Sequence, residues 1–172
     1  YSLCDTNSVF ADNYADGFRS YGYTNVTDYS SEWEALVDQA FAYWGEVSGI
    51  TFVKVDDNAN MCGDIRIGLH SNSTNDSWTI VPTIAQFADE TLSGSAMNDI
   101  WIDDSRDPAN GTGDTGGPAT LIHEIGHALG LSHTHDQYHP PIEQNTTMGW
   151  SVMSYVATFT NIAIAGSSWD GY

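Results

Sequence analysis

Residues Leu121 to His133 read LIHEIGHALGLSH, which sets His123, Glu124, His127, Gly130 and His133 at fixed offsets. On an α-helix, residues four apart share a face, so His123 and His127 can offer two imidazoles to one metal ion. Gly130 can end that helix in a left-handed conformation and turn the chain, so that His133 approaches from a new direction as a third ligand. Zinc suits three imidazoles, and three protein ligands leave one tetrahedral position free, which is the arrangement of a catalytic site rather than a structural one. Glu124 cannot reach the metal alongside both histidines, so its carboxylate is expected to act on a water there as general base. With six histidines and sixteen glycines in 172 residues, the five-residue pattern arises by chance in about two of a hundred thousand such chains.

These residues need elements to hold them. Pro118, after Gly116 and Gly117, fits the first turn of the histidine-bearing helix, and Leu121, Ile122, Ile125 and Leu129 supply its apolar packing. A second helix is predicted from Ser31 to Val47, where Trp33, Leu36, Val37, Ala40, Phe41 and Trp44 recur at helical spacing and Ser31 with Glu34 reads as a capping box. Strands are predicted at Ile50 to Val55 and Asp64 to Leu69, with shorter ones at Trp78 to Pro82 and Asp99 to Ile102. This mixture of elements, with 41% apolar residues and no repeat or linker, predicts one α+β domain over residues 1–172.

The chain carries 23 acidic residues against 4 basic ones, a formal charge of -19. Phosphates of nucleic acid and anionic membrane surfaces would repel it, so neither is an expected partner. No apolar run reaches the eighteen or so residues of a spanning helix, and Tyr1 does not begin a secretory signal, as expected for a mature or excised soluble piece. The acidity is either a solvating coat or a store of calcium ligands. Asp103, Asp104, Asp107, Asn110 and Asp114 cluster in a Gly-rich loop before the histidine helix, with a density of oxygens that suits calcium and a spacing that fits no EF-hand.

The motif HExxHxxGxxH followed by SVMSY at Ser151 to Tyr155 resembles the metzincin zinc metalloproteases, and the Ser-x-Met-x-Tyr turn looks most like that of the serralysins. The upstream stretches AFAYWGEVSGITFVKV and DIRIG are similar to the region that serralysins and matrixins share. The resemblance implies a zincin-like catalytic domain, with a twisted mixed sheet packed against two long helices and a cleft with zinc at its base. It implies a secreted, monomeric endopeptidase that hydrolyses peptide bonds through a zinc-activated water, with protein or peptide substrates. Met153 would lie beneath the zinc, Gly130 would support the ligand turn, and Tyr155 would be a zinc ligand at rest and an oxyanion donor during turnover. Substrate would pair with an edge strand at Trp78, Thr79, Ile80 and Val81, above a pocket walled by Thr134, Val152 and Tyr138. The alternatives are a catalytically inactive zinc-containing binding or adhesion module of the same fold, and a hydrolase of non-protein amides.

Some features depart from the serralysin pattern. Thr134 stands where serralysins usually carry proline, and no glycine-rich calcium-binding repeat domain appears before Tyr172. His135 and His139 form either a second metal site or part of a polar rim. Cys4 and Cys62 are the two cysteines, and their even number favours one disulfide over a thiol that blocks the zinc. Closing a loop of nearly sixty residues would stabilise the fold by ~4 kcal/mol.

Overall fold

Apolar and polar residues alternate along Arg66–His70 (β3), which sends Ile67 and Leu69 to one face of a sheet and Arg66, Gly68 and His70 to the other. Ile100–Asp103 (β5) alternates likewise, with Ile100 and Ile102 on the first face and Trp101 and Asp103 on the second. Both strands are buried throughout, as strands covered on both faces must be. In this computed structural model the described residues are 1–10, 14, 21–71, 77–79, 98–110, 117–134 and 151–154.

The other described strands are Ser2–Cys4 (β1), Val26–Thr27 (β2) and Trp78–Thr79 (β4). The order is β1-β3-β5-β4. β1 and β5 run parallel to β3, β4 runs antiparallel to β5, and β2 pairs antiparallel with the end of β3 that β1 leaves free. One helical turn, Tyr21–Thr24 (α1), precedes β2. Two longer helices, Ser31–Ser48 (α2) and Gly117–Ala128 (α3), cover the first face. There Trp33, Val37, Ala40 and Phe41 of α2 meet Leu121, Ile125 and Ala128 of α3 over Leu3, Ile67, Leu69, Ile100 and Ile102. A smaller aromatic cluster of Tyr14, Trp78 and Trp101, with Phe10 and Tyr23 against it, covers the second face. This mixed sheet with its helices is the expected α+β fold. No helix among the described residues is long and apolar enough to cross a membrane.

Three expectations are corrected. The cap of α2 is Ser30 rather than Ser31: the Ser30 hydroxyl accepts from the Trp33 amide at 3.0 Å, while Glu34 pairs with Lys54 at 2.6 Å. Asp107 selects Ser30, because its carboxylate accepts from both the Ser30 amide and the Ser30 hydroxyl. The stretch Ile50 to Val55 belongs to no strand of the described sheet. It holds the chain's first residue instead, with the Tyr1 ammonium donating to Val53 O at 2.7 Å and the Val55 amide donating to Tyr1 O at 2.9 Å. The expected Cys4–Cys62 disulfide is absent: both are free thiols. Cys4 is buried on the second face of β1, its Sγ 3.9 Å from Asp57 Oδ2, and burial pushes its thiol well above the usual value.

Candidate metal centre and active site

Helix α3 ends in a hydrogen-bonded turn that positions two of the three histidines. Gly130 takes a φ of 90°, a conformation that costs glycine little, and its amide donates to His127 O while the Leu131 amide donates back to Gly126 O. The reversal brings Leu131 O to 2.7 Å from Nδ1 of His127 and swings His133 toward the helix. A second loop orients His123, whose Nδ1 lies 2.6 Å from Val152 O. A carbonyl oxygen can only accept, so both Nδ1 atoms carry the proton, and in the neutral rings Nε2 holds a lone pair. Burial pushes the pKa of His127 below its usual value, against the pull of its Leu131 hydrogen bond, and so favours that neutral form.

The three Nε2 atoms converge. His123 and His127 are 3.0 Å apart, His127 and His133 3.0 Å, and His123 and His133 3.2 Å. Three nitrogens at about 2.05 Å from a tetrahedral zinc would be separated by about 3.3 Å, close to this spacing. Two neutral imidazoles that aim lone pairs at each other repel unless a cation lies between them, so the donor set itself calls for a metal. Among the described residues, these three histidines form the one cluster of His, Cys, Asp or Glu that could hold an ion.

Around the triad, the residues singled out from sequence divide. Glu124 is buried on α3 beside His123, and the hydroxyl of Thr79 on β4 lies 2.7 Å from its Oε2. Met153 is buried in a turn closed by Ser151, whose hydroxyl accepts from the Met153 amide at 3.1 Å. The Thr134 amide donates to Met153 O at 3.2 Å, which joins the segment after His133 to that turn. Trp78 and Thr79 form β4, at one edge of the sheet among the described residues, while Ile80, Val81, Tyr138, His135, His139, Asp114 and Tyr155 lie outside the described residues. Asp103 is buried, with its Oδ1 accepting from Ser105 and its Oδ2 without a hydrogen-bond partner among the described residues. Beside it, burial raises the pKa of Asp104, and the Asp103 charge adds to the rise. Asp107 is committed elsewhere, to Ser30 and to the Ala109 amide at 2.9 Å.

Two contributors escaped the sequence reading. Gly126 lies between His123 and His127, and a Cβ there would stand 2.5 Å from Met153 Sδ and 3.1 Å from the Trp44 ring, so the absent side chain lets the methionine turn close under the helix. Glycine inside a helix costs roughly 0.5–1 kcal/mol against alanine, and that was the available signal. Trp44, counted only as apolar, donates from Nε1 to Ile122 O at 3.0 Å and ties α2 to the backbone just before His123.

A histidine pair on a helix, a third histidine beyond a left-handed glycine and a buried methionine turn define a metzincin. Residues 16–147 match the matrixin peptidase family, and with more than half of the chain matched, this chain belongs to that family. It is 29% identical over 121 residues to interstitial collagenase B of Mus musculus, a match that covers 69% of this chain and 26% of that protein. The chain thus spans about a quarter of the length of that relative. The matches run to matrixins and bring no particular closeness to serralysins.

Proposed function

We propose that this chain is a zinc-dependent endopeptidase that cleaves extended peptide or protein substrates. The observation that carries the reading is the convergence of three imidazole Nε2 atoms within 3.2 Å, with a buried glutamate next in sequence to one of them. His123, His127 and His133 would hold the zinc, which when bound would act as a Lewis acid and lower the pKa of a water from about 15.7 towards about 7. Glu124 takes a proton from the attacking water and delivers it to the departing amide nitrogen. Met153 and Gly130 keep the ligands in place, the first by filling the space beneath α3 and the second by turning the chain toward His133. Tyr155, two residues after Met153, is assigned the resting-ligand and oxyanion-donor roles that the serralysin-like form of the turn suggests.

The peptide is assigned to the edge of β4 and, by the family resemblance, to the sequence that follows it as far as Val81, as an added antiparallel or parallel strand. Calcium is assigned to Asp103 and Asp104, supported by the buried Oδ2 of Asp103 that has no hydrogen-bond partner among the described residues. Asp114 is a further candidate ligand, whereas the hydrogen bonds of Asp107 argue for a structural duty. A secreted, monomeric catalytic domain accords with the acidic surface and the family.

Glu124→Gln separates catalysis from binding. The variant should retain zinc and lose about 10²–10⁴-fold in kcat on a broad peptide library, as removal of a general base predicts, and a chelator should abolish wild-type cleavage. If wild type and variant bind zinc equally and are equally inert, the chain is a zinc-containing binding module instead.

A further inference from the structure

Thr79 connects the sheet edge to the carboxylate on which the proposed chemistry depends. It lies in β4, paired with Ile100 of β5, and 45 residues separate it from Glu124. Its Oγ1 is 2.7 Å from Glu124 Oε2 and 3.0 Å from the main-chain oxygen of the same residue. A threonine hydroxyl has one proton to give, and a carboxylate is the stronger acceptor, so the shorter contact is the principal bond and the main-chain oxygen the minor branch.

We propose that Thr79 is a positioning residue for Glu124, fixing the general base to the strand along which the peptide lies. The inference rests on the reading of Glu124 as general base. Glutamate has three side-chain torsions, and its freedom is costly to a proton transfer that tolerates little misplacement. Threonine is β-branched and stiff at χ1, and here it stands on a paired strand rather than a loop, so the bond is anchored at a rigid point. One residue then does two things: its backbone belongs to the strand that would bind substrate, and its side chain sets where the base stands relative to that strand. Loss of the hydroxyl should therefore lower kcat and spare KM, because the hydroxyl faces α3 and not the peptide.

The test compares zinc-loaded wild type with Thr79→Val, which keeps the shape, and Thr79→Ser, which keeps the hydroxyl, in peptide hydrolysis. For valine kcat should fall about 10–100-fold, the loss expected for one hydrogen bond to a charged group, with KM within about twofold of wild type. Serine should restore kcat to within about threefold. Zinc content should not change, since Leu131 O and Val152 O orient His127 and His123. In a crystal structure of the zinc-loaded valine variant, the Glu124 carboxylate should leave its single position. Wild-type kcat in Thr79→Val, or a serine variant as impaired as valine with an equal drop in melting temperature, would overturn the proposal. If Glu124→Gln is inert and Thr79→Val fully active, only the positioning role falls. If Glu124→Gln matches wild type, the general-base reading falls and takes this one with it.

Discussion

Two buried polar clusters lie on opposite faces of the sheet, and they are built on opposite principles. On the helix side, three imidazoles bring like atoms together within 3.2 Å. On the other side, complementary groups meet. The Arg66 guanidinium donates to both oxygens of Asp57 at 2.9 and 2.6 Å, with the two side chains 3% and 2% exposed, and sits 4.2 Å over the Phe10 ring. Asp99 accepts from the Tyr14 hydroxyl at 2.5 Å and from the Arg66 amide at 3.2 Å. The second cluster satisfies itself, whereas the first is complete only around a cation. A buried group of mutually repelling acceptors therefore points to a bound ligand, and a buried group of matched donors and acceptors points to a role in folding.

The largest effect that separates the two clusters should come from Arg66→Met. Burial alone would raise the pKa of Asp57, but the hydrogen bonds from Arg66 and Ser2 outweigh it and hold the carboxyl below its usual range. Removal of the guanidinium leaves that carboxylate buried without its main partner, at a cost of about 3–5 kcal/mol. Urea unfolding should show the loss, while the variant that remains folded should bind zinc as wild type does. An equal loss of zinc affinity would mean that the two faces are coupled and the contrast is false.

Gly126→Ala tests the other side with a smaller change. The new methyl would meet Met153 Sδ, whose side chain can shift, and the Trp44 ring, which its bond to Ile122 O restrains. Overpacking of this kind costs about 1–3 kcal/mol, offset in part by the higher helix propensity of alanine. Displacement of Met153 should also draw Val152 O from His123, so zinc affinity, read by chelator competition, should fall about 10–100-fold. Unchanged affinity would show that the methionine turn does not support the ligands.

The contrast also accounts for what could be read from sequence. His123, Glu124, His127 and Gly130 lie within one helix and its end, so helical periodicity and the left-handed preference of glycine were enough to bring them together. α2 was legible for the same reason, with an expected end at Val47 against an observed one at Ser48. Its cap was not, because Ser30 and Ser31 are alike in type and the choice depends on Asp107, 77 residues away. Tyr14 meets Asp99 across 85 residues, and Thr79 meets Glu124 across 45. No periodicity spans such distances, so these pairings become visible only with the sheet in place. The segment Ile50 to Val55 has the composition of a strand, but among the described residues its backbone pairs with Tyr1 rather than with a strand of the sheet, and composition does not specify a partner.

The last prediction concerns the sign of a pH dependence. Burial pushes the Asp99 carboxyl up to about 7, against the opposing Tyr14 hydrogen bond and Arg66 charge, whereas in the unfolded chain its value is 3.8. Between those values the unfolded chain has released a proton that the native state still holds, so rising pH favours unfolding. The stabilising contribution of this group is therefore fully present below about pH 4, and is lost as pH rises towards about 7. Asp57, with a lowered value, loses its contribution only as pH falls below the usual carboxylate range, outside that window. An asparagine side chain cannot ionise, and the NH2 group that replaces one carboxyl oxygen can only donate, so it cannot accept from the Tyr14 hydroxyl as a protonated carboxyl can, and Asp99→Asn should cost about 1 kcal/mol at low pH. The deficit should shrink and then reverse between about pH 4.5 and 7.5 in paired urea titrations of wild type and variant. His127 titrates equally in both proteins and cancels from the difference. A deficit that stayed constant across the window would mean that Asp99 is ionised throughout, making this cluster dependent on a compensating positive charge, as the three converging imidazoles would be on a cation.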